Sequence, residues 1–225
     1  MFISEVYESF QGEGPFAEQP SLFIRTSGCN LRCSFCDTPY TSWQPEGEQI
    51  SLAELGARIQ QATPDHVVLT GGEPMLAPQL TELTELCRQA GRVITIETAG
   101  TVDRSVECDL MAISPKMRNS TPADPSWSAR HEDTRHQPAV IRSLFARYEA
   151  ILKFVIECPD DVAEVCHYLR EFPDVTTDQV WLMPQARTQA ELQARAPMVQ
   201  AAAAEHQFRY SPRLHVERFG DVRGV

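Results

Sequence analysis

A chain of 225 residues is long enough to bury a full core and lies near the upper end of what one α/β domain occupies. Its hydrophobic content of 42%, without an apolar run near the roughly 18 residues that span a bilayer, excludes a disordered or membranous chain. A formal charge of -11 argues against binding to a nucleic-acid backbone, so we expect a small-molecule partner.

Short apolar segments rich in branched residues alternate with segments of helical period along the whole chain. These segments predict buried strands at 21–25, 66–70, 92–96, 110–113, 151–156 and 179–183. The alternation indicates an α/β fold, a parallel β/α sheet that is open or curled toward a partial barrel. Chemistry is then expected at the carboxyl ends of the strands.

The helical segments carry recognisable start and stop signals. Ser51 and Glu54 predict a capping box before a helix at Leu52, and further helices are expected at 78–91 and 160–172. Another helix should begin at Thr188, where Pro197 is expected to kink or split it. The polar, proline-containing stretch 117–138 is expected to be a loop or lid within a single domain, residues 1–225.

Three cysteines follow the first predicted strand with the spacing C-x3-C-x2-C, at Cys29, Cys33 and Cys36. Thiolates this close can hold one iron-sulfur cluster, and three ligands leave one iron open to a small molecule. A zinc site is the alternative, but zinc prefers four tetrahedral ligands, and Cys158 and Cys166 are not spaced like a second ligand pair. We expect the four cysteines outside the loop to be buried residues (Cys87, Cys108, Cys158, Cys166).

Polar residues follow several predicted strands, where they would reach the rim of the sheet. Thr70 precedes the paired glycines of a Gly-Gly-Glu-Pro turn, and Glu97-Thr98 ends the next strand. Taken alone, each of these two segments could instead be a structural strand end or turn without a ligand. Lys153 interrupts an apolar strand, and a buried cation needs a carboxylate partner, either on a ligand or within the protein. The guanidinium of Arg25 likewise needs a carboxylate partner, either on the protein or on the substrate.

The cysteine loop, with the aromatic Phe35 before its last cysteine, resembles the signature of the radical S-adenosylmethionine (SAM) superfamily. This resemblance implies an incomplete TIM-like β/α barrel of the radical SAM type, with a 4Fe-4S cluster on the three cysteines and SAM chelated by the open iron. The cofactor would carry the radical chemistry, and the protein would orient the reactants and exclude water. Matching the superfamily's motifs to this sequence implies a set of SAM-binding residues (Phe35, Cys36, Asp37, Gly72, Glu97, Thr98, Ser114, Pro115, Lys116, Lys153, Gln185).

The segment Ser9-Phe10-Gln11-Gly12-Glu13-Gly14 resembles the start of the 7-carboxy-7-deazaguanine synthase family. The family's reaction converts 6-carboxy-5,6,7,8-tetrahydropterin to 7-carboxy-7-deazaguanine with loss of ammonia, a carbon-nitrogen lyase activity. Backbone beside the glycines can hydrogen-bond a flat heterocycle, and Glu13 can accept from its guanidine-like edge. The resemblance implies a set of substrate-binding residues (Phe10, Gln11, Gly12, Glu13, Arg25, Thr70, Arg213, His215).

The same resemblance implies a Mg²⁺ ion held with the hydroxyl of Thr38, which suits a hard oxygen-seeking cation. It also implies a homodimer, an electron donor such as flavodoxin or ferredoxin, and a place in queuosine biosynthesis. No secretory signal is visible at 1–5, so we expect a cytoplasmic enzyme without membrane or nucleic-acid partners. The alternatives are a glycyl-radical enzyme activase, which shares the cysteine spacing, and a non-enzymatic zinc- or cluster-stabilised binding module.

Overall fold

One sheet of nine strands organises the protein, and the computed structural model describes all of residues 1–225. The strands follow the spatial order β3-β1-β2-β4-β5-β6-β7-β8-β9. Their bounds are β1 Phe2–Phe10, β2 Pro20–Thr26, β3 Glu48–Gln49, β4 His66–Gly71, β5 Val93–Thr98, β6 Leu110–Ile113, β7 Ala150–Ile156, β8 Val180–Pro184 and β9 Arg209–Tyr210. The two end strands do not pair with each other, so the sheet is an open, partial barrel, and the predicted fold class is confirmed.

Pairing directions divide the sheet into two parts. From β2 to β9 every neighbouring pair is parallel, whereas β1 runs antiparallel to both β2 and β3. All six predicted strands are present, with ends shifted by at most two residues. The carboxyl ends of the parallel strands therefore meet at one edge, as the β/α alternation predicted.

Eight helices connect or flank the strands. Their bounds are α1 Pro39–Ser42, α2 Leu52–Gln61, α3 Leu80–Gln89, α4 Pro125–Arg135, α5 Pro138–Arg147, α6 Pro159–Tyr168, α7 Gln189–Glu205 and α8 Leu214–Phe219. Short 3-10 turns add the segments Gly14–Phe16, Pro74–Leu76, Arg118–Ser120, Leu169–Glu171 and Thr177–Gln179. None of the helices has the length and apolar character that crossing a bilayer requires.

Alternation along each parallel strand sends successive side chains to opposite faces of the sheet. Ile94 and Ile96 of β5 are fully buried in the main apolar core, while Glu97 lines a cavity inside the curve of the sheet. Strand β7 repeats the pattern, with Phe154 in the core and Lys153 in the cavity. The outer face therefore holds the fold together against the helices, and the inner face carries polar groups.

The segment 117–138 differs from the loop or lid expected there, because residues Pro125–Arg135 form α4. The Asp124 side chain caps this helix by accepting from the backbone N–H of Ser126 at 2.9 Å, and Pro125 occupies the first helical position. Within α4 only His131 is fully buried, so no apolar stripe marked the helix in the sequence.

Pro197 does not split α7, which continues through the proline with Leu192 and Val199 buried on either side of it. Two smaller expectations fail. Ser51 caps α2 through the N–H of Glu54, but the carboxylate of Glu54 binds Arg58 instead of closing the capping box. Of the four cysteines expected to be buried, only Cys87 is fully so: Cys158 is exposed before α6, and Cys108 and Cys166 are half-buried.

Candidate active site

One large cavity opens at the carboxyl ends of the parallel strands, with a volume of about 460 Å³. Its wall includes the three loop cysteines, the N-terminal motif and polar residues from the strand ends. Of the site residues expected from the sequence, all except Pro115 line this cavity. Pro115 is buried between two lining residues, Ser114 and Lys116. The structure thus brings the separate sequence motifs together, and their binding roles remain predictions.

The cysteine loop is held against the turn that follows β4. Gly28, with φ of +108°, donates its N–H to the carbonyl of Thr41 at 2.8 Å and accepts from the N–H of Glu73 at 2.9 Å. A Cβ atom on Gly72 would lie 2.3 Å from the carbonyl oxygen of Gly28, so only glycine permits this approach. The paired glycines therefore fix the position of the cysteine loop.

The thiols of the loop have the chemistry that an iron-sulfur cluster requires. Burial raises the pKa of the Cys29 and Cys33 thiols to about 12. Ionisation at neutral pH therefore needs a cationic partner, and a coordinated metal deprotonates a thiol outright. Cys36 lies at the cavity wall, with its sulfur 3.2 Å from the hydroxyl of Ser42. All three cysteines line the cavity, and their thiols have the donor chemistry of iron-sulfur cluster ligands.

Glu73 of the Gly-Gly-Glu-Pro turn has a structural role that the sequence did not reveal. Its carboxylate accepts from the Thr98 hydroxyl at 2.8 Å, the Ala99 N–H at 2.8 Å and the Met75 N–H at 3.0 Å. Burial is the largest influence on this carboxyl group and raises its pKa. Glu73 joins the ends of β4 and β5 and uses the Thr98 hydroxyl that was expected to face SAM.

The N-terminal motif forms one wall of the cavity through side chains and backbone. Gln11, only 5% exposed, donates to Glu97 at 3.0 Å and accepts from the backbone N–H of Glu13 at 3.1 Å. Thr70 donates to the other oxygen of Glu97 at 2.9 Å. The carboxylates of Glu13 and Glu97 therefore lie on one wall as acceptors for a ligand with several N–H groups.

Two buried cations surround Glu13. Lys153 and Arg213 both form ion pairs with its carboxylate, and Lys153 lies 4.0 Å from Glu97. Burial alone would raise the pKa of Glu13, but these cations lower it well below the usual range. Burial would likewise lower the pKa of Lys153, and the two carboxylates raise it instead. Both groups stay charged at neutral pH, so an internal ion pair satisfies Lys153 in this structure.

The C-terminal part of the chain closes the same wall. Leu214 donates its backbone N–H to the carbonyl of Gly12 at 3.0 Å. A Cβ on Gly12 would lie 2.2 Å from Nδ1 of His215, so these segments are in tight contact. Arg213 also forms an ion pair with Asp37, the residue after the last loop cysteine. Arg213 thus links the N-terminal motif to the cysteine loop.

Arg25 is paired with a structural carboxylate in this structure. Its Nε donates to Glu5 at 2.8 Å, and its Nη2 donates to the Tyr7 hydroxyl at 3.1 Å. Neither Glu5 nor Tyr7 was expected from the sequence, because the antiparallel strand β1 was not predicted. Their spacing of two residues on one strand is the signal that could have identified them.

Further cavity residues that were expected to bind SAM follow the ends of β6 and β8. Gln185 is only 5% exposed, and its carbonyl groups accept from Arg195 of α7. Lys116 donates to the backbone carbonyl of Ser114 at 2.7 Å and to its hydroxyl at 2.8 Å. Arg195 is a further residue that the sequence did not indicate, and it holds Gln185 at the end of β8.

Known proteins match this chain in sequence and in fold. The family model for the radical SAM superfamily matches residues 23–118. The 7-carboxy-7-deazaguanine synthase of Rhodopirellula baltica is 41% identical, covering 100% of this chain and 89% of the relative. The protein of the same name from Halobacterium salinarum is 42% identical, covering 98% of this chain and 91% of the relative.

A solved structure shares the fold as well. The crystal structure of QueE from Escherichia coli superposes with a TM-score of 0.65 at 24% identity, covering 93% of this chain and 92% of that chain. At this identity the likeness concerns the fold alone, and it agrees with the open barrel. The sequence matches extend over the cysteine loop, the N-terminal motif and the C-terminal wall together. The chain therefore belongs to the 7-carboxy-7-deazaguanine synthase family of radical SAM enzymes.

Proposed function

We propose that this chain converts 6-carboxy-5,6,7,8-tetrahydropterin to 7-carboxy-7-deazaguanine and ammonia within 7-deazapurine (queuosine) biosynthesis. One observation carries the proposal: the cavity that contains the three cysteines also contains the carboxylates of Glu13 and Glu97. A pterin presents a guanidine-like edge with several N–H donors, and these carboxylates are acceptors. Cluster chemistry and pterin recognition would therefore share one site.

Cys29, Cys33 and Cys36 would hold the 4Fe-4S cluster, and they line the same cavity as the residues implied for SAM. When bound, the reduced cluster and SAM supply the radical that takes a hydrogen atom from the substrate. Seven further residues of the set implied for SAM line the cavity and would bind it (Phe35, Asp37, Gly72, Thr98, Ser114, Lys116, Gln185). Their backbone and side-chain polar groups would orient it in a cavity protected from bulk water. Two others of that set, Glu97 and Lys153, are instead bonded to residues of the N-terminal motif.

The protein's own contribution is binding and orientation of the pterin. Glu13 remains an anion because Lys153 and Arg213 neutralise it, so it can accept from the substrate's N–H groups without taking a proton. Arg25 lines the cavity and is the cation available for the substrate carboxylate. The hydrogen-bonded Gln11, Glu97 and Thr70 would keep this surface fixed while the ring rearranges.

Mg²⁺, the partner proteins and the location belong to the same proposal. Thr38 lines the cavity and would offer its hydroxyl oxygen to Mg²⁺ near the substrate carboxylate. The family resemblance supports a homodimer and a small electron carrier such as flavodoxin or ferredoxin. All seven cysteines are free thiols, which suits the reducing cytoplasm.

Anaerobic turnover tests this function. Enzyme reconstituted with iron and sulfide receives SAM, a reductant and the carboxylated tetrahydropterin, and product and ammonia are quantified by mass spectrometry and an enzymatic assay. We expect equal amounts of both, and none from Cys33→Ala; Cys108→Ala, outside the loop, serves as the matched control. Cleavage of SAM by the cluster-loaded wild type without deazaguanine product would contradict the proposal and favour the activase reading.

A further inference from the structure

The guanidinium of Arg25 is held by two side chains of one strand. Glu5 accepts from Nε at 2.8 Å, and the Tyr7 hydroxyl accepts from Nη2 at 3.1 Å. Glu5 lies directly opposite Arg25 in the antiparallel register of β1 and β2, and Tyr7 lies opposite Phe23. Tyr7 is itself fixed by stacking on Phe23, with ring centroids 5.1 Å apart. The fork is therefore restrained at two of its three nitrogens.

The third nitrogen remains available. Nη1 of Arg25 makes no hydrogen bond within the chain and is not among the fully enclosed polar atoms, while the residue lines the cavity. Arginine has five N–H donors, and Glu5 and Tyr7 use two of them. The remaining donors include both on Nη1, in the planar geometry that suits a second carboxylate.

Glu5 also binds two other segments that line the cavity. One of its oxygens accepts from the Tyr40 hydroxyl at 2.9 Å, and the other accepts from Nε of Arg223 at 2.9 Å. Arg223 in turn binds Glu46 at 2.9 Å and lies over the ring of Tyr40 at 3.9 Å. With its side chain only 10% exposed, Glu5 receives three donors at a position that solvent barely reaches.

We propose that Glu5 is a positioning residue that fixes the Arg25 fork with Nη1 toward the substrate carboxylate, and thereby selects carboxylated pterins over pterins without that group. The inference rests on the proposed function, which supplies the carboxylated substrate. Glu5 acts through Arg25 and does not contact the substrate itself. Because it occupies only the Nε side of the fork, it orients the arginine without using the donors that the substrate needs.

Glutamine cannot replace Glu5 in this arrangement. Its amide has one acceptor oxygen and two N–H donors, so at least one of the three donors on Glu5 would face another N–H group. Glutamine also carries no negative charge, so even with its oxygen toward Arg25 it would hold the guanidinium less firmly. The cost of ordering Arg25 would then fall on substrate binding. Removal of a charged hydrogen-bond partner at a buried site typically weakens an interaction by about tenfold or more.

Binding measurements on cluster-loaded enzyme without reductant test this role. Titration calorimetry compares the carboxylated tetrahydropterin with tetrahydropterin lacking the carboxyl group, in wild type, Glu5→Gln and Glu46→Gln. We expect Glu5→Gln to weaken binding of the carboxylated pterin about tenfold and to leave the other pterin within about twofold of wild type. Glu46→Gln, which touches the same Arg223 but not Arg25, should change neither.

A second variant covers the case in which Glu5→Gln folds poorly. Tyr7→Phe keeps the stack on Phe23 and removes only the hydroxyl that holds Nη2, so it should weaken the carboxylated pterin selectively and by less. Turnover of the carboxylated pterin by Tyr7→Phe should show a raised KM with a smaller change in kcat. Equal weakening of both pterins, or of neither, would overturn the positioning role, whereas a wild type that binds neither pterin would overturn the substrate assignment and this inference with it.

Discussion

At the scale of single residues, the site depends on charges placed inside the barrel. Burying Glu13 alone would be costly, since a lone buried carboxylate loses its hydration. Lys153 and Arg213 offset this loss and hold the pKa of Glu13 low, so the acceptor is ready before substrate arrives. The sequence indicated that Lys153 needed a partner but not which one, because Glu13 is 140 residues distant in the chain.

Replacing Lys153 with methionine tests the buried pair. We expect the free energy of unfolding to fall by about 3 kcal/mol, because Glu13 keeps only Arg213 as a partner at a position that is 12% exposed. The matched control is Arg88→Met, which breaks the pair of Arg88 with Asp109, whose side chains are 41% and 37% exposed. Exposed pairs contribute less than about 1 kcal/mol. If urea unfolding gave similar losses of unfolding free energy for both variants, burial would not explain the strength of the Lys153–Glu13 pair.

At the scale of elements, the cysteine loop is positioned by backbone packing against the turn after β4. Gly72 lies so close to Gly28 that a side chain cannot be accommodated. This contact joins two motifs that the sequence shows as separate, Cys29 to Cys36 and the Gly-Gly-Glu-Pro turn. The position of the cysteine loop therefore depends on a glycine that is not itself a ligand of the cluster.

Gly72→Ala should displace the cysteine loop, since its Cβ would approach the carbonyl oxygens of Gly28 and Thr41 at 2.3 and 2.8 Å. We expect iron content after anaerobic reconstitution to fall to less than about half of the wild-type value, on the reasoning that metal sites need preset ligands. Gly91→Ala is the control, because Gly91 has φ of +72° and open space around it. It should lose about 1 kcal/mol of stability and keep its iron. Full iron loading of Gly72→Ala would argue against this packing role.

The sequence predicted the parallel strands well because both of their faces are enclosed, so residues such as Val67 to Leu69 form continuous apolar runs. It did not predict β1, because Glu5, Tyr7 and Glu8 interrupt any apolar pattern, and Tyr7 lines the cavity. Helix α4 was missed for a related reason: it is polar all round and attaches through His131, whose Nδ1 accepts from the N–H of Arg32 at 3.2 Å.

The candidate site was predictable where short motifs carry the chemistry, as at Cys29 and Gln11. Contacts between distant segments were not, since nothing local in the sequence pairs Arg213 with Asp37 or Glu5 with Arg25. Such partners are set by strand register and by the return of the C-terminal segment to the cavity. Positioning residues such as Arg195 are therefore visible only in the folded chain.

At the scale of the whole molecule, stability should depend on pH through a buried histidine. His66 is 1% exposed and lies between the hydroxyls of Ser21 and Thr95, each at 2.8 Å. Burial lowers its pKa in the folded protein, against the weaker opposing influence of Glu97 and Asp109. The unfolded chain therefore binds a proton at a higher pH than the folded chain does, and stability is lost as pH falls below about 6.5.

Urea unfolding at pH 7 and pH 5.5 tests this dependence in wild type, His66→Gln and His167→Gln. The wild type should lose stability on acidification by at most about 1.4 kcal/mol per pH unit from this one group. His66→Gln should show a smaller loss, because glutamine keeps polar contacts and does not titrate. His167 is exposed, so its variant should behave like wild type. Identical pH profiles for all three proteins would exclude His66 as the source.

The cysteine loop, its packing against the turn after β4 and the cavity together form the site of a cluster whose three thiolates would leave one iron open to SAM. Mössbauer spectroscopy of protein reconstituted anaerobically with ⁵⁷Fe, with and without SAM, tests that claim most directly. We expect about four irons per chain in a 4Fe-4S signal, one of which changes its environment when SAM is added. A protein without an iron-sulfur signal, or a cluster in which SAM leaves every iron unchanged, would contradict the account.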